Sequence, residues 1–340
     1  MKPVFSIVVP VYNEDQALPE LYRRLAAVMD SLAEPWELIL VDDGSQDRSA
    51  EIIAKLHQQD GRVKGLSFSR NFGFQEAVTA GLAHAQGQAI ILTDADLQDP
   101  PEVMPAMIDK WRQGYKVVYG QRSHRAGETW FKRVSAKGFY RLIRGITSVD
   151  IPVDTGDFRL MDRRVVDSIL RMPERSRFLR GMVPWVGFKQ TGVVYERHPR
   201  FAGKSKFGSV RKMLPFAVDA ITSFSYFPLQ LATYLGFAIA LLSLIAIVGV
   251  VLLRLSGRQE LAGQATTLVA VLFLGGVQLI SLGIIGEYLG RIYDEVKGRP
   301  LYLVERSWGI AQDEAERPAL GPAGPDGASR RSQTSPAVAE

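Results

Sequence analysis

The chain has 340 residues, of which 46% are hydrophobic, and it carries a formal net charge of +5 with no cysteine. This length allows one sizeable core and an accessory part. The absence of cysteine excludes disulfide bonds and thiolate metal or redox sites. Lysine and arginine are scattered through the first half rather than concentrated on one aromatic-rich segment, so the positive charge does not predict nucleic-acid binding.

The N-terminus begins almost at once with a strand-like run, Phe5–Val9, which Pro10 interrupts. No apolar segment with a small-residue cleavage site precedes or follows it, so the sequence shows no secretory signal. We therefore expect the first part of the chain to stay in the cytoplasm.

Strand-like and helix-like segments then alternate up to about residue 120. The spacing of Leu18, Leu21, Leu25 and Val28 predicts the first helix, and the alanine-rich segment 73–85 predicts another. This alternation predicts an α/β fold with a doubly wound, mostly parallel sheet and helices on both faces. The strand candidates are Phe5–Val9, Glu37–Val41, Val63–Phe68, Gln88–Thr93 and Lys116–Tyr119.

Polar clusters follow three of these strands. They are Pro10–Glu14, Asp42–Ser45 and Asp94–Asp96. Because the carboxyl ends of parallel strands share one edge of a sheet, we expect the clusters to form one binding site there. Carboxylates on one rim repel each other unless a cation lies among them. The structural alternative is that Asn13 or Asp15, and Ser45 or Asp47, only cap helices.

Asp94 and Asp96 stand directly after a buried apolar strand. Two carboxylates at a strand end suit Mg²⁺ or Mn²⁺, which prefer oxygen ligands shared between the protein and a substrate diphosphate. The alternative is a solvated acidic turn in which Asp99 caps a helix beginning at Pro100 or Pro101. The sequence contains no glycine-rich phosphate loop, so a diphosphate at this rim would need a metal and basic side chains.

Two long stretches without charged residues, 220–253 and 262–286, lie in the second half. Each is longer than the roughly 20 residues that cross a bilayer. They predict a transmembrane hairpin with helices at 226–254 and 262–287. Glycines allow close helix packing within the hairpin or between protomers, which favours a homo-oligomer. These glycines are Gly275, Gly276, Gly283, Gly286 and Gly290.

Other segments flank the predicted hairpin. The helical pattern of apolar and basic residues over 206–225 predicts an amphipathic helix in the membrane interface, with an ordinary core helix as the alternative. Basic residues are more numerous outside the hairpin than in its connector, which predicts both ends in the cytoplasm. The catalytic part is then 1–205, the segment 288–310 is juxtamembrane and cytoplasmic, and 311–340 is a disordered tail.

As a set, the motifs resemble glycosyltransferase family 2, and more narrowly the polyprenyl-phosphate glycosyltransferases related to dolichyl-phosphate mannose synthase. The most similar branch is that of the bacterial bactoprenol glucosyltransferases, which carry a C-terminal transmembrane hairpin. The resemblance covers residues 4–304. It rests on Ser6–Glu14, Val41–Ser45, Asn71–Gly73, Asp94–Glu102, Arg200–Lys206 and Gly286–Arg291.

The resemblance implies a GT-A fold, a nucleotide-sugar donor such as UDP-glucose, and a polyprenyl-phosphate acceptor at the bacterial inner membrane. The implied nucleotide-sugar residues are Pro10, Tyr12, Glu14, Asp42, Asp94, Arg200 and Lys206. Lys204 departs from the pattern of many relatives, and it leaves open which of Lys204 and Lys206 meets a phosphate.

The resemblance also implies a metal site and a catalytic residue. Asp94, Asp96 and Gln98 would hold the divalent cation, and Asp157 occupies the position usually proposed for the catalytic base. A lipid phosphate has a second pKa of about 6 and is largely ionised at neutral pH. Asp157 is therefore expected either to accept a proton or to orient the acceptor and stabilise charge on the sugar.

The implied reaction moves a sugar, glucose by resemblance, to undecaprenyl phosphate with inversion at the anomeric carbon, for cell-envelope glycosylation. One alternative is a processive polysaccharide synthase, which generally needs more spans and a Gln-x-x-Arg-Trp motif that the sequence lacks. Another is a non-catalytic membrane partner that binds nucleotide sugars or lipids. The sequence leaves open UDP against GDP and Mg²⁺ against Mn²⁺.

Overall fold

The computed structural model describes residues 2–123, 155–201, 227–255 and 264–311. They form two compact units. The first contains the described residues up to 201 and from 300 onwards, and the second contains 227–255 and 264–299. The predicted amphipathic helix, the hairpin connector, Lys206 and nearly all of the predicted tail lie outside the described residues.

The first unit is an α/β structure with eight described strands. The strands are β1 (Phe5–Val11), β2 (Trp36–Asp42), β3 (Val63–Phe68), β4 (Ala89–Leu92), β5 (Val117–Arg122), β6 (Thr155–Asp162), β7 (Gln190–Tyr195) and β8 (Val304–Trp308). Its helices are α1 (Leu18–Asp30), α2 (Ser49–Gln59), α3 (Phe74–His84), α4 (Met104–Arg112), α5 (Arg163–Leu170) and α6 (Leu179–Trp185). A single 3₁₀ turn, Pro101–Val103, leads into α4.

The eight strands form one mixed sheet in the order β7-β5-β6-β4-β1-β2-β3-β8. The central strands β4, β1, β2 and β3 are parallel neighbours, and β5 is parallel to β7. In contrast, β6 is antiparallel to both β4 and β5, and β8 is antiparallel to β3. The predicted α/β fold is confirmed, and its parallel part carries the carboxyl edge where the polar clusters stand.

Helices cover both faces of the sheet, as predicted. On one face α1 buries Leu18, Leu21, Leu25 and Met29 against the odd-numbered residues of β1, together with apolar side chains of α2 and α4. Met29, rather than the predicted Val28, fills the last buried position of α1. Each such buried side chain contributes about 1.5–3 kcal/mol to stability.

The other face carries α3, which approaches β1 and β2 very closely. A Cβ added at Gly81 would stand 2.3 Å from Cγ1 of Val8 and 3.3 Å from Cγ2 of Val41. Only glycine fits here without a shift of the helix, so Gly81 fixes the distance between α3 and the strands that lead to the rim.

Three strands have no counterpart among the sequence candidates: β6, β7 and β8. The last of these is the largest departure, because Val304–Trp308 lies in the segment predicted to be only juxtamembrane. It pairs with β3 and belongs to the same compact unit as the first 123 residues. The sheet-bearing unit therefore includes chain from beyond the predicted hairpin and does not end near residue 205.

The second unit contains two long helices, α7 (Phe227–Leu255) and α8 (Gln264–Lys297). The segments Phe227–Ile245 and Phe273–Lys297 are long and apolar enough to cross a membrane, and neither is buried within the protein. α8 continues past residue 287, where the second span was predicted to end.

Candidate active site

The loops that follow β1 and β2 are joined by hydrogen bonds. The backbone N–H of Asn13 donates to Oγ of Ser45 at 2.9 Å, and that of Gln46 donates to Oδ1 of Asn13 at 2.8 Å. The N–H of Glu14 donates to Oγ of Ser49 at 3.0 Å. Asn13 takes a left-handed φ of +51°, which asparagine tolerates well. The helix-capping alternative for Asn13 and Ser45 is wrong, since their side chains join the two loops instead.

Asp42 and Asp43 accept hydrogen bonds from the neighbouring strand and loops at this edge of the sheet. Asp42 is fully buried at the end of β2, where its Oδ1 accepts from the N–H of Ser45 at 3.0 Å and its Oδ2 from Oγ of Ser67 at 2.8 Å. Oδ1 of Asp43 accepts from the N–H of Phe72 at 2.7 Å. Burial raises the pKa of Asp43, and the N–H groups of Phe72 and Gly73, which donate to it, oppose the rise. The two carboxylates thus fix the loops after β2 and β3.

Asp94 is the carboxylate with the most unfavourable surroundings at the rim. Withdrawal from water, followed by the negative charges of Asp157, Asp99 and Asp96, raises its pKa to about 8, although Arg180 opposes the shift. Within the described ranges, no hydrogen bond or ion pair reaches its carboxylate oxygens. A carboxyl in this position holds a proton near neutral pH unless a cation replaces it.

The loop after Asp94 has a strained backbone. Leu97 is buried and takes a φ of +58°, in the left-handed region that side chains other than glycine and asparagine seldom adopt. Oδ1 of Asp96 accepts from the N–H of Gln98 at 3.1 Å across this residue. Such strain persists only where surrounding contacts hold it, and it concentrates at functional sites.

Asp99 does not cap a helix, so that alternative is also wrong. Its side chain is buried, and its Oδ1 accepts a hydrogen bond from the hydroxyl of Tyr195 at the end of β7. The guanidinium groups of Arg122 and Arg197 each lie 3.8 Å from the same oxygen. Asp99 therefore ties the loop after β4 to β5 and to the loop after β7.

The loop after β7 closes over these acidic residues. Nη2 of Arg197 donates to Oε1 of Gln98 at 2.7 Å, and the N–H of His198 donates to the Gln98 carbonyl at 3.0 Å. Arg200 forms an ion pair with Glu14, and both groups are largely buried. Two predicted nucleotide-sugar residues on opposite sides of the rim are thus in direct contact.

Asp157 lies at the beginning of β6, next to the end of β4, because Arg159 stands opposite Leu92 in the register. Its carboxylate is buried and receives a bidentate hydrogen bond from Arg180, with distances of 3.0 and 2.6 Å. Nη2 of Arg159 lies 3.5 Å away. Burial alone would raise the pKa of Asp157, but Arg180, Arg159 and Arg122 outweigh it and hold the pKa below its usual value.

The residues around Asp94 fit a divalent cation. Burial, followed by the negative charges of three neighbouring carboxylates, raises the pKa of Asp94, and a bound cation would stabilise its ionised form. In the described part of the chain, no group of three His, Cys, Asp or Glu side chains could hold a metal unaided. A cation here would therefore share its ligands with substrate oxygens, as Mg²⁺ does beside diphosphates.

The structure brings most of the predicted site residues to one rim. Pro10 pairs with Val41 near the ends of their strands, and Tyr12 follows directly after β1. Sequence reasoning named Arg200 but missed Tyr195 and the other arginines that pair with the acidic groups. Of these, Arg159 stands two residues from the predicted Asp157, whereas Arg180 carried no signal at all.

An α/β sheet of this kind, with an Asp-x-Asp loop at its carboxyl edge, is typical of a GT-A glycosyltransferase. The chain belongs to glycosyl transferase family 2: the family model matches residues 6–170, and a model described as the GtrB C-terminal hairpin matches 227–292. The predicted family, fold and enzyme class are confirmed. The hairpin match, together with two exposed apolar helices, makes this a membrane-associated protein.

Known relatives resemble nearly the whole chain. It is 52% identical over 306 residues to an uncharacterized glycosyltransferase, YkcC, of Bacillus subtilis, with 90% of this chain and 94% of that protein covered. It is 43% identical over 302 residues to the SfII prophage-derived bactoprenol glucosyl transferase of Shigella flexneri, with 89% and 97% covered.

Among solved structures, a glucosyl-3-phosphoglycerate synthase from Mycobacterium tuberculosis, crystallised with Mn²⁺, UDP-glucose and phosphoglyceric acid, is 17% identical with a TM-score of 0.45. The match covers 65% of this chain and 78% of that one. This likeness is too distant to bear on the site.

Proposed function

We propose that the protein transfers glucose from a nucleoside diphosphate sugar, UDP-glucose, to an acceptor lipid. The acceptor is undecaprenyl phosphate or a similar polyprenyl phosphate. The reaction inverts the anomeric carbon and yields a lipid monophosphate sugar for cell-envelope glycosylation. The observation that carries this proposal is the 43% identity to a bactoprenol glucosyl transferase over 97% of its length, which includes the helix pair.

The acidic loop after β4 is the proposed metal site. Asp94 and Asp96 hold Mg²⁺ or Mn²⁺, and the missing counter-charge at Asp94 supports this assignment. Gln98 is the proposed third ligand, but its Oε1 already accepts from Arg197, so that contact must change for Gln98 to bind a metal. A divalent cation would supply neutralisation of the charge that develops on the leaving diphosphate.

Basic residues complete the proposed phosphate site. Arg200 lies at the rim against Glu14, and Arg197 lies against Gln98. A guanidinium binds a phosphate with two parallel hydrogen bonds, so a substrate phosphate could replace these protein acceptors. Lys206 is proposed for the same role and lies outside the described residues. The proposed nucleoside pocket adjoins the phosphate site and is formed by Pro10, Tyr12, Glu14 and Asp42.

Asp157 acts as a charge-stabilising and positioning group in this proposal. Its pKa is held below the usual value, and Arg180 occupies both carboxylate oxygens. A carboxylate of this kind is a weak base, and the acceptor phosphate, with a second pKa of about 6, needs little help to ionise. A fixed negative charge at this place would stabilise positive charge on the sugar carbon as its bond to the diphosphate breaks.

The proposed location is the bacterial inner membrane, with two spans and the catalytic unit in the cytoplasm. A cysteine introduced at Gln259, in the connector, should react with an impermeant thiol reagent added to intact spheroplasts. Gln113→Cys, exposed after α4, should be protected until the cells are lysed. The natural chain has no cysteine, so labelling reports only the introduced one. The reverse pattern would overturn this orientation.

The helix pair also supports the proposed homo-oligomer. A Cβ added at Gly275, Gly276, Gly283, Gly286 or Gly290 of α8 would meet no atom within 4 Å among the described residues. Small residues with open space beside them permit close approach of another helix.

The test of the reaction is a screen of nucleotide sugars against undecaprenyl phosphate in detergent, with lipid-linked products identified by mass spectrometry. We expect one glucose per lipid phosphate, dependent on a divalent cation and on the acceptor. A polymeric product would indicate a processive synthase, and no product with any donor would favour a non-catalytic binding partner.

A further inference from the structure

The segment that follows α8 returns to the sheet beside the proposed nucleoside pocket. β8 is antiparallel to β3, with Val304 opposite Phe68, the last residue of β3. The N–H of Ser69 donates to the Leu303 carbonyl at 3.0 Å. The residues just before β8 therefore lie at the carboxyl end of β3, which is the edge that carries the active site.

Tyr302 is anchored there by aromatic contacts. It is 8% exposed, and its ring stacks on Phe68 with centroids 4.8 Å apart and an interplanar angle of 12°. Phe68 in turn meets Phe72 edge to face at 5.8 Å, and the Arg70 guanidinium lies 4.0 Å over the Phe72 ring. A continuous stack thus runs from Tyr302 to the loop after β3.

That loop is pressed against the residues that follow β2. Gly44 has a φ of +66°, and a Cβ added to it would stand 2.4 Å from the carbonyl carbon of Arg70. Asp43 accepts from the N–H of Phe72, and Ser67 donates to Asp42. Because Asp42 and Ser45 also fix the loop after β1, a displacement of Phe72 would be transmitted to the whole nucleoside side of the rim.

We propose that Tyr302 is a positioning residue for the nucleotide-sugar donor, acting through Phe68 and Phe72 on the Asp42–Ser45 loop. This inference rests on the proposed function, since it takes that loop to be part of the donor pocket. The segment after the helix pair is then a support of the active site as well as the cytoplasmic continuation of α8.

The ring of Tyr302, and not its hydroxyl, carries the role. Within the described residues, the hydroxyl and Nε of the neighbouring Arg177 are buried without hydrogen-bond partners. Arg177 instead donates through Nη1 and Nη2 to the carbonyls of Met172 and Ile169. Loss of a hydroxyl that has no partner removes a desolvation cost, so Tyr302→Phe should preserve donor binding.

Trp308, in the strand β8 that follows Tyr302, offers a matched control. It packs on Gly65 and Ile53 in the middle of β3, away from the rim: a Cβ added at Gly65 would stand 2.7 Å from Cε3 of Trp308 and 2.5 Å from Cγ2 of Ile53. Trp308→Leu should weaken the attachment of β8, and hence thermal stability, without changing the loop after β3.

The experiment measures UDP binding to full-length protein in detergent with Mg²⁺ or Mn²⁺, by calorimetry without acceptor, and then steady-state transfer. Tyr302→Met should weaken UDP binding and raise the donor KM by about 2- to 10-fold, the worth of one aromatic pair. The KM for undecaprenyl phosphate and kcat should stay within about twofold of wild type. Tyr302→Phe should match wild type.

Two outcomes overturn the proposal. One is UDP affinity of Tyr302→Met equal to wild type, and the other is an equal loss in Trp308→Leu, which would show a general effect of β8 docking. If Tyr302→Met does not fold, Phe72→Met removes the ring at the other end of the stack and must show the donor-specific loss. Absence of lipid-linked glucose with the wild type would refute the proposed function instead. UDP affinity is measured without the acceptor, so it tests the role of Tyr302 whether or not transfer occurs.

Discussion

Asp94 and Asp157 stand on neighbouring strands and have opposite electrostatic surroundings. Asp94 follows β4, has no ion pair within the described residues, and has a pKa raised to about 8. Asp157 begins β6, carries two guanidinium partners, and has a lowered pKa. Both residues are aspartates withdrawn from water, so their pKa values differ because of their neighbours. Arginines surround Asp157, whereas further carboxylates surround Asp94.

This contrast supports the different roles proposed for the two carboxylates. A carboxyl withdrawn from water and surrounded by Asp96, Asp99 and Asp157 needs an added cation to be stable in its ionised form. A carboxylate already paired with arginine is stable in its ionised form without a cation. In the proposed function, one side of the rim is open to a cation and the other side holds a fixed anion. Substitutions on each side should therefore have distinct signatures.

The largest effect is expected on the Asp94 side. Asp94→Asn and Asp96→Ala should each reduce transfer by about 1,000-fold or more, because a divalent cation loses its protein ligands. Wild-type activity should vanish in chelator and return with Mg²⁺ or Mn²⁺, as measured by lipid-linked product. Asp109→Asn, an exposed aspartate on α4, is the matched control and should retain activity. Undiminished turnover of the wild type in excess chelator would show that Asp94 and Asp96 do not hold a cation needed for the reaction.

An intermediate effect is expected at Asp157. If it fixes charge and position, Asp157→Asn should lose about 10- to 1,000-fold in rate, of the order of one electrostatic contact. The residual rate should rise through about pH 6 and then stay level, following ionisation of the acceptor phosphate. The measurement is a pH–rate profile of both proteins at saturating metal. Recovery of the mutant at about pH 8 to 10 would identify Asp157 as a general base instead.

A smaller effect should follow from Arg180, the partner that distinguishes Asp157 from Asp94. Arg180→Lys keeps the charge and loses the bidentate geometry, so we expect a loss of about 10-fold in kcat. In the double variant with Asp157→Asn, the losses should not add, because the two groups act as one pair. Arg171→Lys, exposed at the end of α5, serves as the control. Fully additive losses would show that Arg180 acts elsewhere.

The last effect concerns stability and not the reaction rate, and it is a pH dependence of folding without metal. The folded-state pKa of Asp94 is about 8 and its ordinary value is 3.8, so the folded protein binds an extra proton between these values. Stability of the metal-free wild type should therefore fall as the pH rises from about 4 to about 8. Asp94→Asn should lack this contribution, and thermal unfolding in detergent would show its Tm declining less. Added Mg²⁺ should reduce the difference in wild type alone.

The rim itself was predictable because its signals are local. A buried apolar strand followed by Asp94 and Asp96 places two carboxylates at a strand end through adjacent residues only. The clusters after β1 and β2 follow the same rule, and the sheet brings them together because the strands are parallel. Their hydrogen bonds across loops could not be predicted, since Asn13 and Ser45 are also good helix caps.

The arginines were not predictable from local pattern. Arg180 reaches Asp157 from 23 positions along the chain, and Arg200 reaches Glu14 from 186 positions away. Neither pairing leaves a periodicity or motif in the sequence. β8 was missed for a related reason. It is only five residues long, which is too short for alternating polar and apolar residues to indicate a strand. Its pairing with β3 also joins the two strands that are farthest apart in sequence among the paired strands of the described sheet.

The return of the chain at β8 has a consequence for how the protein is made. Until Val304–Trp308 emerges from the ribosome, β3 is an open edge with unpaired backbone groups. Both apolar helices must be synthesised before that edge can close. Completion of the catalytic sheet is therefore linked to delivery of the helix pair to the membrane, and a nascent chain stalled between the two stages carries an exposed strand that invites aggregation.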